Sequence, residues 1–344
     1  MSPYISDKIR NISFIAIIAV FFIHTDYAGG RNSASFFFQD LLHTASNFAV
    51  PLFFIISGYL FFYRKGNLSV IKQSIYKRFK TLFIPYVVWC TLFVMQLWLA
   101  SLVKPLNQDY FSILNEGDFV EILRFLKRMY IAPPLAFHLW YVRDLIAVVA
   151  FSPLIFLCQR KHPSVFLLVV VFVCGMLKLI PWLSWPLTWF SIGSYFALSN
   201  KELLQLNNKW IAVVMLIGYI GITGWLIYNG MHTTADKWYS FPVILLGVIG
   251  IWNTYDIVGI HKYFPSYITD QTFFLYCAHV PFLTIVSTLL FPIIPQSALV
   301  EGVAYLIPAI VTCIVLITIA RYWKRLNANS RISYNIYKYL TGGR

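Results

Sequence analysis

No charged residue stands between Arg10 and Asp26, and the run that separates them is built mostly from Ile, Phe, Ala and Val. Stretches of this kind recur along the whole chain. Each approaches the roughly 20 apolar residues that cross a hydrocarbon core as a helix. In lipid, only structures that pair their own backbone groups survive. Charged residues make up 12% of the chain and apolar residues 59%, against about 25% charged in a soluble domain. The expected fold class is an all-α integral membrane protein: one domain over 1–344, with about ten transmembrane helices in one bundle. The spans read as about 11–27, 44–63, 82–103, 138–157, 164–180, 184–199, 210–228, 238–254, 271–291 and 299–321. The fifth and sixth are short and meet at Pro181-Trp182, so a single broken helix is the alternative there. No small-residue cleavage site follows the first run, so that helix is expected to be retained.

The net charge of +14 does not point to nucleic acid. With the N-terminus inside, 19 of the 27 basic residues fall in cytoplasmic segments, the bias expected of a membrane protein. Both termini are then cytoplasmic and His24 lies at the outer end of the first helix. Cys90, Cys158, Cys174, Cys277 and Cys313 sit in apolar spans without CxxC or zinc-ligand spacing, so neither a disulfide framework nor a metal site is expected.

Two connections exceed plain turns. The basic cytoplasmic stretch 64–81 places Val70, Ile71, Ile75 and Phe79 at near-helical spacing, as in an interfacial helix or a solvated face drawn to anionic lipid. The outer loop 104–137 contains an amphipathic helix over Phe119–Tyr130 that ends at Pro133-Pro134. No Walker loop, GxGxxG or GxSxG elbow occurs. The chemistry-bearing residues are instead polar side chains inside or at the ends of spans: His24, Asp26, Ser57, His138, Arg143, Asp144, Lys178, Thr272 and His279. An ionisable group in a span is a functional candidate by default, although His24 could mark the interface and His279 could be a packing residue. His24 and Asp26 are two apart and would not face each other on a helix. Arg143 and Asp144 could neutralise each other or pair across helices. Ser57-Gly58 suits close helix contact.

Taken together, these segments resemble a known family. Val50-Pro51-Leu52-Phe53-Phe54-Ile55-Ile56-Ser57-Gly58-Tyr59 resembles the second-helix signature of the membrane-bound acyltransferase family 3. His138-Leu139-Trp140-Tyr141-Val142-Arg143-Asp144-Leu145 is similar to its hLWFxxxL segment, and Phe273-Phe274-Leu275-Tyr276-Cys277-Ala278-His279 to its sFxxYxxH segment. The first-helix histidine, the basic stretch leading to Pro85-Tyr86 and the terminal Leu340-Thr341-Gly342-Gly343-Arg344 match as well. Two positions depart. Ser13 stands eleven residues before His24 where the family often has arginine, with Arg10 about one turn earlier. Arg78 is followed by Thr81 where Arg-x-x-Arg is usual, with Lys77 and Lys80 at the same spacing. Lysine keeps the charge but not the bidentate fork.

The resemblance implies a bacterial cytoplasmic-membrane O-acyltransferase of the stand-alone type, without an SGNH domain. Such enzymes usually move acetyl from acetyl-CoA, as acyl donor and without a metal, to a sugar hydroxyl of a surface polysaccharide or its lipid-linked precursor. Arg10, Lys77, Arg78 and Lys80 are the candidates for the donor's phosphates, which charge-assisted hydrogen bonds would hold. His24 is the candidate general base, and His279 is the second catalytic candidate. Trp140, Tyr141, Arg143, Asp144 and Tyr276 are the candidates for orienting the sugar or steadying the oxyanion. A transporter or flippase of a glycolipid or small solute is the competing class, but no repeat relates the two halves. A purely structural membrane protein would leave His24, Arg143 and His279 without a reason.

Overall fold

A computed structural model describes residues 1–25, 33–103, 111, 118–131, 135–259, 264–290, 292–293, 306–326 and 331–341. All regular structure among them is helical. In chain order the helices are α1 (Pro3–Ile23), α2 (Ser33–Ala45), α3 (Ala49–Phe62), α4 (Leu68–Val103), α5 (Phe119–Tyr130), α6 (Trp140–Ala150) and α7 (Ser152–Lys161). They continue with α8 (Pro163–Val170), α9 (Ser184–Leu198), α10 (Lys209–Tyr228), α11 (Ser240–Val258), the single turn α12 (Ser266–Thr269), α13 (Thr272–Leu290), α14 (Leu306–Leu326) and α15 (Arg331–Thr341).

Among the described residues, six stretches are long and apolar enough to cross a membrane: Phe37–Phe62, Leu68–Leu102, Lys209–Tyr228, Ser240–Val258, Thr272–Leu290 and Leu306–Arg325. The pair Phe137–Ala150 and Ser152–Lys161, bent by 57°, makes a seventh if counted as one span. The chain is thus a multi-pass membrane protein. The other three of the ten expected spans fall short for visible reasons. Helix α1 carries Asp7, Lys8 and Arg10 in its first turns. Helix α9 has 15 residues. Helix α8 slackens into a π-helical stretch, Val171–Met176, before Lys178 turns the chain at φ 54°.

The separate interfacial helix expected over 64–81 is not found. Leu68 to Val103 is one helix of 36 residues, about 54 Å long against a hydrocarbon core of about 30 Å. Pro85 lies inside it. Helix α5 runs as expected, from Asp118, whose side chain accepts from Val120 N–H, to Tyr130. Phe125 and Met129 pack it on Val94 of α4. Pro133-Pro134 and Asp26 lie outside the described residues. The polar tail, which carried no assigned element, forms α15. Trp89 Nε1 donates to the Leu340 carbonyl at 3.0 Å and Tyr337 OH to Gln271 Oε1 at 3.1 Å, so the tail is tucked against α4 and the start of α13. Gly342–Arg344 lie outside the described residues.

Helices α3 and α9 approach each other closely at two glycines. A Cβ on Gly58 would stand 2.2 Å from the Phe190 carbonyl oxygen, and one on Gly193 would stand 1.9 Å from that of Ile55. Association in lipid depends on such packing because no hydrophobic drive remains between helices. Both obstructions are rigid backbone. Gly193→Ala therefore forces the pair apart and costs about 1–3 kcal/mol, the range for overpacking. Thermal unfolding in detergent should show a lower transition for Gly193→Ala, and no change for Gly218→Ala, whose Cβ meets nothing within 4 Å.

Candidate active site

A cavity of about 410 Å³ lies between α1, α3, α4, α6, α13, α14 and α15, within the roughly 300–1,000 Å³ usual for small-molecule sites. One end is polar and ringed by Met1, Arg10, Arg78, Asp270, Lys324 and Tyr337. The walls are apolar, with Ile9, Ile56, Leu60, Leu82 and Leu145. The far end is closed by Phe53, Ser57, Tyr141 and Tyr276. Met1 and Tyr337 share the polar end, so the two ends of the described chain lie at the same end of the bundle.

The cations there are not equivalent. Arg10 bonds to Asp7 at 2.8 Å and to Asp270 at 3.2 Å, so two carboxylates already meet its charge. Lys65 rests on the face of Phe61, 4.2 Å from its ring centre, and Phe61 lines the cavity. Burial first, then the nearby Arg78 and Lys77, lower the Lys65 ammonium from 10.5 to about 8. Both causes disfavour the charged form. Lys77 and Lys80 are exposed on α4 and absent from the lining. Lys80 lies over Tyr76 at 4.6 Å.

At the closed end, Ser57 Oγ and Tyr141 OH are 3.0 Å apart, and either can donate to the other. Tyr276 OH donates to the His138 carbonyl at 2.5 Å. One ring beyond Tyr276 stands a cluster of three histidines. The His279 ring lies 5.7 Å from that of Tyr276, 5.0 Å from His24 and 5.3 Å from His138. His24 caps the C-terminus of α1, its N–H bonded to the Phe21 and Phe22 carbonyls. Its half-buried ring also faces Phe137 at 5.7 Å. His138 and His279 are fully buried.

Local sequence explains this meeting. Thr272, Tyr276 and His279 are spaced by four and three residues, which puts them on one face of α13. Pro281, inside α13, has no N–H for the carbonyl four residues earlier. That carbonyl belongs to Cys277, and His138 Nε2 donates to it at 3.2 Å. A 3-10 turn, Phe137–Leu139, carries His138 ahead of α6.

Among the residues singled out from sequence, Arg10, Arg78, Tyr141 and Tyr276 line the cavity, while His24 and His279 stand together just past its end. Trp140 instead packs 6.3 Å from the Phe54 ring. Arg143 Nε bonds Asp144 Oδ1 at 2.7 Å and its Nη1 donates to the Ile131 carbonyl at 3.0 Å, and neither residue lines the cavity. Sequence reasoning assigned no role to Lys324, Gln271, Tyr337 or His138. Only His138 had a signal, as an ionisable residue at the start of a span. Among the described residues, no group of three or more His, Cys, Asp or Glu is arranged to hold a metal ion.

The chain matches the profile of the family described as "Acyltransferase domain" over residues 9–318. It is similar to the Succinoglycan biosynthesis protein ExoH of Rhizobium meliloti (strain 1021), 22% identical over 311 residues that cover 83% of this chain and 80% of that protein. No solved structure matches it significantly.

The Lys65 environment can be tested directly. Competitive acetic anhydride labelling read by mass spectrometry should show Lys65 gaining reactivity with a midpoint near pH 8. Arg78→Ala should raise that midpoint but leave it below 10.5, since burial is the larger cause.

Proposed function

The chain belongs to the acyltransferase family whose profile it matches, and we propose that it moves an acetyl group from acetyl-CoA to a sugar hydroxyl of a surface polysaccharide or its lipid-linked precursor. One observation carries this reading: the cavity is cationic at one end, apolar along its length, and closed by hydroxyls one ring short of a histidine cluster. The ExoH relative is by name a succinoglycan biosynthesis protein, which favours a polysaccharide acceptor. Family membership sets aside the transporter alternative.

The polar end fits a polyanionic donor. Arg78, Lys324 and Lys65 hold the phosphates, with Arg10 tempered by its two carboxylates. Lys77 and Lys80 steer from the exposed face of α4. This end faces the cytoplasm, where acyl-CoA is found, and the membrane is the bacterial cytoplasmic one. The thin pantetheine arm follows the apolar walls and brings the thioester to Ser57, Tyr141 and Tyr276. Ser57 or Tyr141 can turn its O–H onto the oxygen that becomes negative as the thioester carbonyl is attacked.

The acceptor hydroxyl approaches from the histidine end, with Trp140 and the Arg143–Asp144 pair shaping its path. His24 takes the hydroxyl proton as the new C–O bond forms. The C–S bond then breaks, and the proton ends on the coenzyme sulfur. The Tyr276 side chain shifts by about a ring's width so that the two halves meet.

Two variants separate the two ends. With radiolabelled acetyl-CoA and glycan acceptor, purified His24→Ala should lose at least about 10²-fold in kcat, the usual worth of a general base, with little change in donor KM. Arg78→Ala should raise the donor KM about tenfold, the scale of one charge-assisted hydrogen bond, and lessen its rise with salt. Undiminished O-acetylation of surface glycans in a host carrying His24→Ala, against clear loss in a deletion strain, would remove His24 from this role.

A further inference from the structure

His138 and His279 are each held in a single tautomer by a backbone carbonyl. A carbonyl only accepts, so the ring nitrogen bonded to it carries the hydrogen. For His138 that is Nε2, on the Cys277 carbonyl at 3.2 Å. For His279 it is Nδ1, on the Tyr276 carbonyl at 2.5 Å. In the neutral rings the opposite nitrogens, His138 Nδ1 and His279 Nε2, are therefore lone pairs. Both are buried without a hydrogen-bond partner among the described residues. Around them are aromatic rings: Phe93 at 5.2 Å and Phe137 at 5.8 Å from His138, and Phe21 at 5.5 Å from His279.

Packing alone does not explain two such acceptors. Each buried lone pair left unmade costs about 1–3 kcal/mol, and a Phe or Leu would fill the space without that cost. The two rings stand 5.3 Å apart, centre to centre, close enough for a modest side-chain rotation to bring both lone pairs onto one incoming proton. The third ring, His24, stands 5.0 Å from His279 and is half-buried. It is the one member of the cluster that is not fully enclosed.

We propose that His138 is a positioning residue for acyl transfer: it shares the proton taken from the acceptor hydroxyl, with His24 as entry point and His279 as neighbour. The inference rests on the acyl-transfer reading above. As the acceptor oxygen bonds to the thioester carbon, its proton passes to His24 and is shared with His279 Nε2 and His138 Nδ1. When the C–S bond breaks, the same proton goes to the departing sulfur, so charge and atoms balance. The lone pair on His138 is kept available because the Cys277 carbonyl, to which Pro281 has no N–H to give, fixes the donor at Nε2.

One substitution distinguishes proton sharing from structural support. In His138→Gln the amide N–H can still reach the Cys277 carbonyl, but no basic nitrogen remains. Proton sharing predicts that His138→Gln unfolds like wild type, binds acetyl-CoA with unchanged affinity and loses at least thirtyfold in kcat, with a displaced acid limb in its pH profile. His138→Gln within threefold of wild type, on an unmoved pH profile, overturns the proposal. Wild-type protein that neither binds acetyl-CoA nor transfers its acyl group would instead defeat the acyl-transfer reading itself.

Discussion

In a hydrocarbon medium every polar group needs a partner within the protein, and the ion pair of Lys8 with Asp256 shows how strongly that condition shapes this bundle. The two meet at 2.8 Å with side chains 0% and 4% exposed. Lys8 also lies over the Trp252 ring at 4.7 Å, Tyr4 OH donates to the same carboxylate, and Asn11 Nδ2 donates to Tyr255 OH at 2.8 Å. Such a pair adds little net stability over an apolar replacement, yet removing one partner strands the other at a cost of about 3–5 kcal/mol. Its consequence is geometric. It fixes the first turns of α1 against the last turns of α11.

That anchor bears on chemistry at the other end of the helix. His24 is sixteen residues beyond Lys8, about 24 Å along α1. Between them Ile12, Ala16 and Ile17 are fully buried, so rotation of α1 is determined along its length. The α3–α9 glycine contact plays the corresponding part for Ser57, which neighbours Gly58. The cavity's closed end is therefore set by helix packing rather than by loops, which suits a site needing placement to a fraction of an ångström.

Much of this was legible in the chain, because lipid simplifies the reading. Apolar runs became helices, the amphipathic stretch after Asp118 became α5, and Ser57-Gly58 became a tight helix contact. The segments quoted around Ser57, Tyr141, Tyr276 and His279 converge in space although they come from three different helices. What was not legible depends on neighbours. Residues 64–81 read as a separate amphipathic element, but nothing breaks the helix before α4, and Pro85 sits within it. Residues 138–157 read as one span, but the chain bends at Phe151, just before Pro153 can start a new helix. The tail reads only as polar and rich in tyrosine, and it is α4 and the start of α13 that offer Trp89 and Gln271 as partners. His138 looked like one more polar residue at a span's end. Its significance rests on its bond to the Cys277 carbonyl, 139 residues away, a relation no local periodicity carries.

The partition between cavity and histidines has its own physical logic. A thioester beside an open imidazole and water would hydrolyse, since the base cannot tell water from a sugar hydroxyl. Tyr276 is 4% exposed and bonded to the His138 carbonyl, so in the acyl-transfer reading its ring stands between the donor's end of the site and the base. Water exclusion of this kind is worth invoking only where a group is seen to do it, and here that group is a side chain on the same helix as His279. In the acyl-transfer reading, movement of Tyr276 is then coupled to acceptor arrival, because the acceptor's own surface replaces the ring that must shift. Any displacement of that hydroxyl also perturbs the backbone carrying His138, so on the same reading the event that admits the acceptor adjusts the group proposed to share its proton.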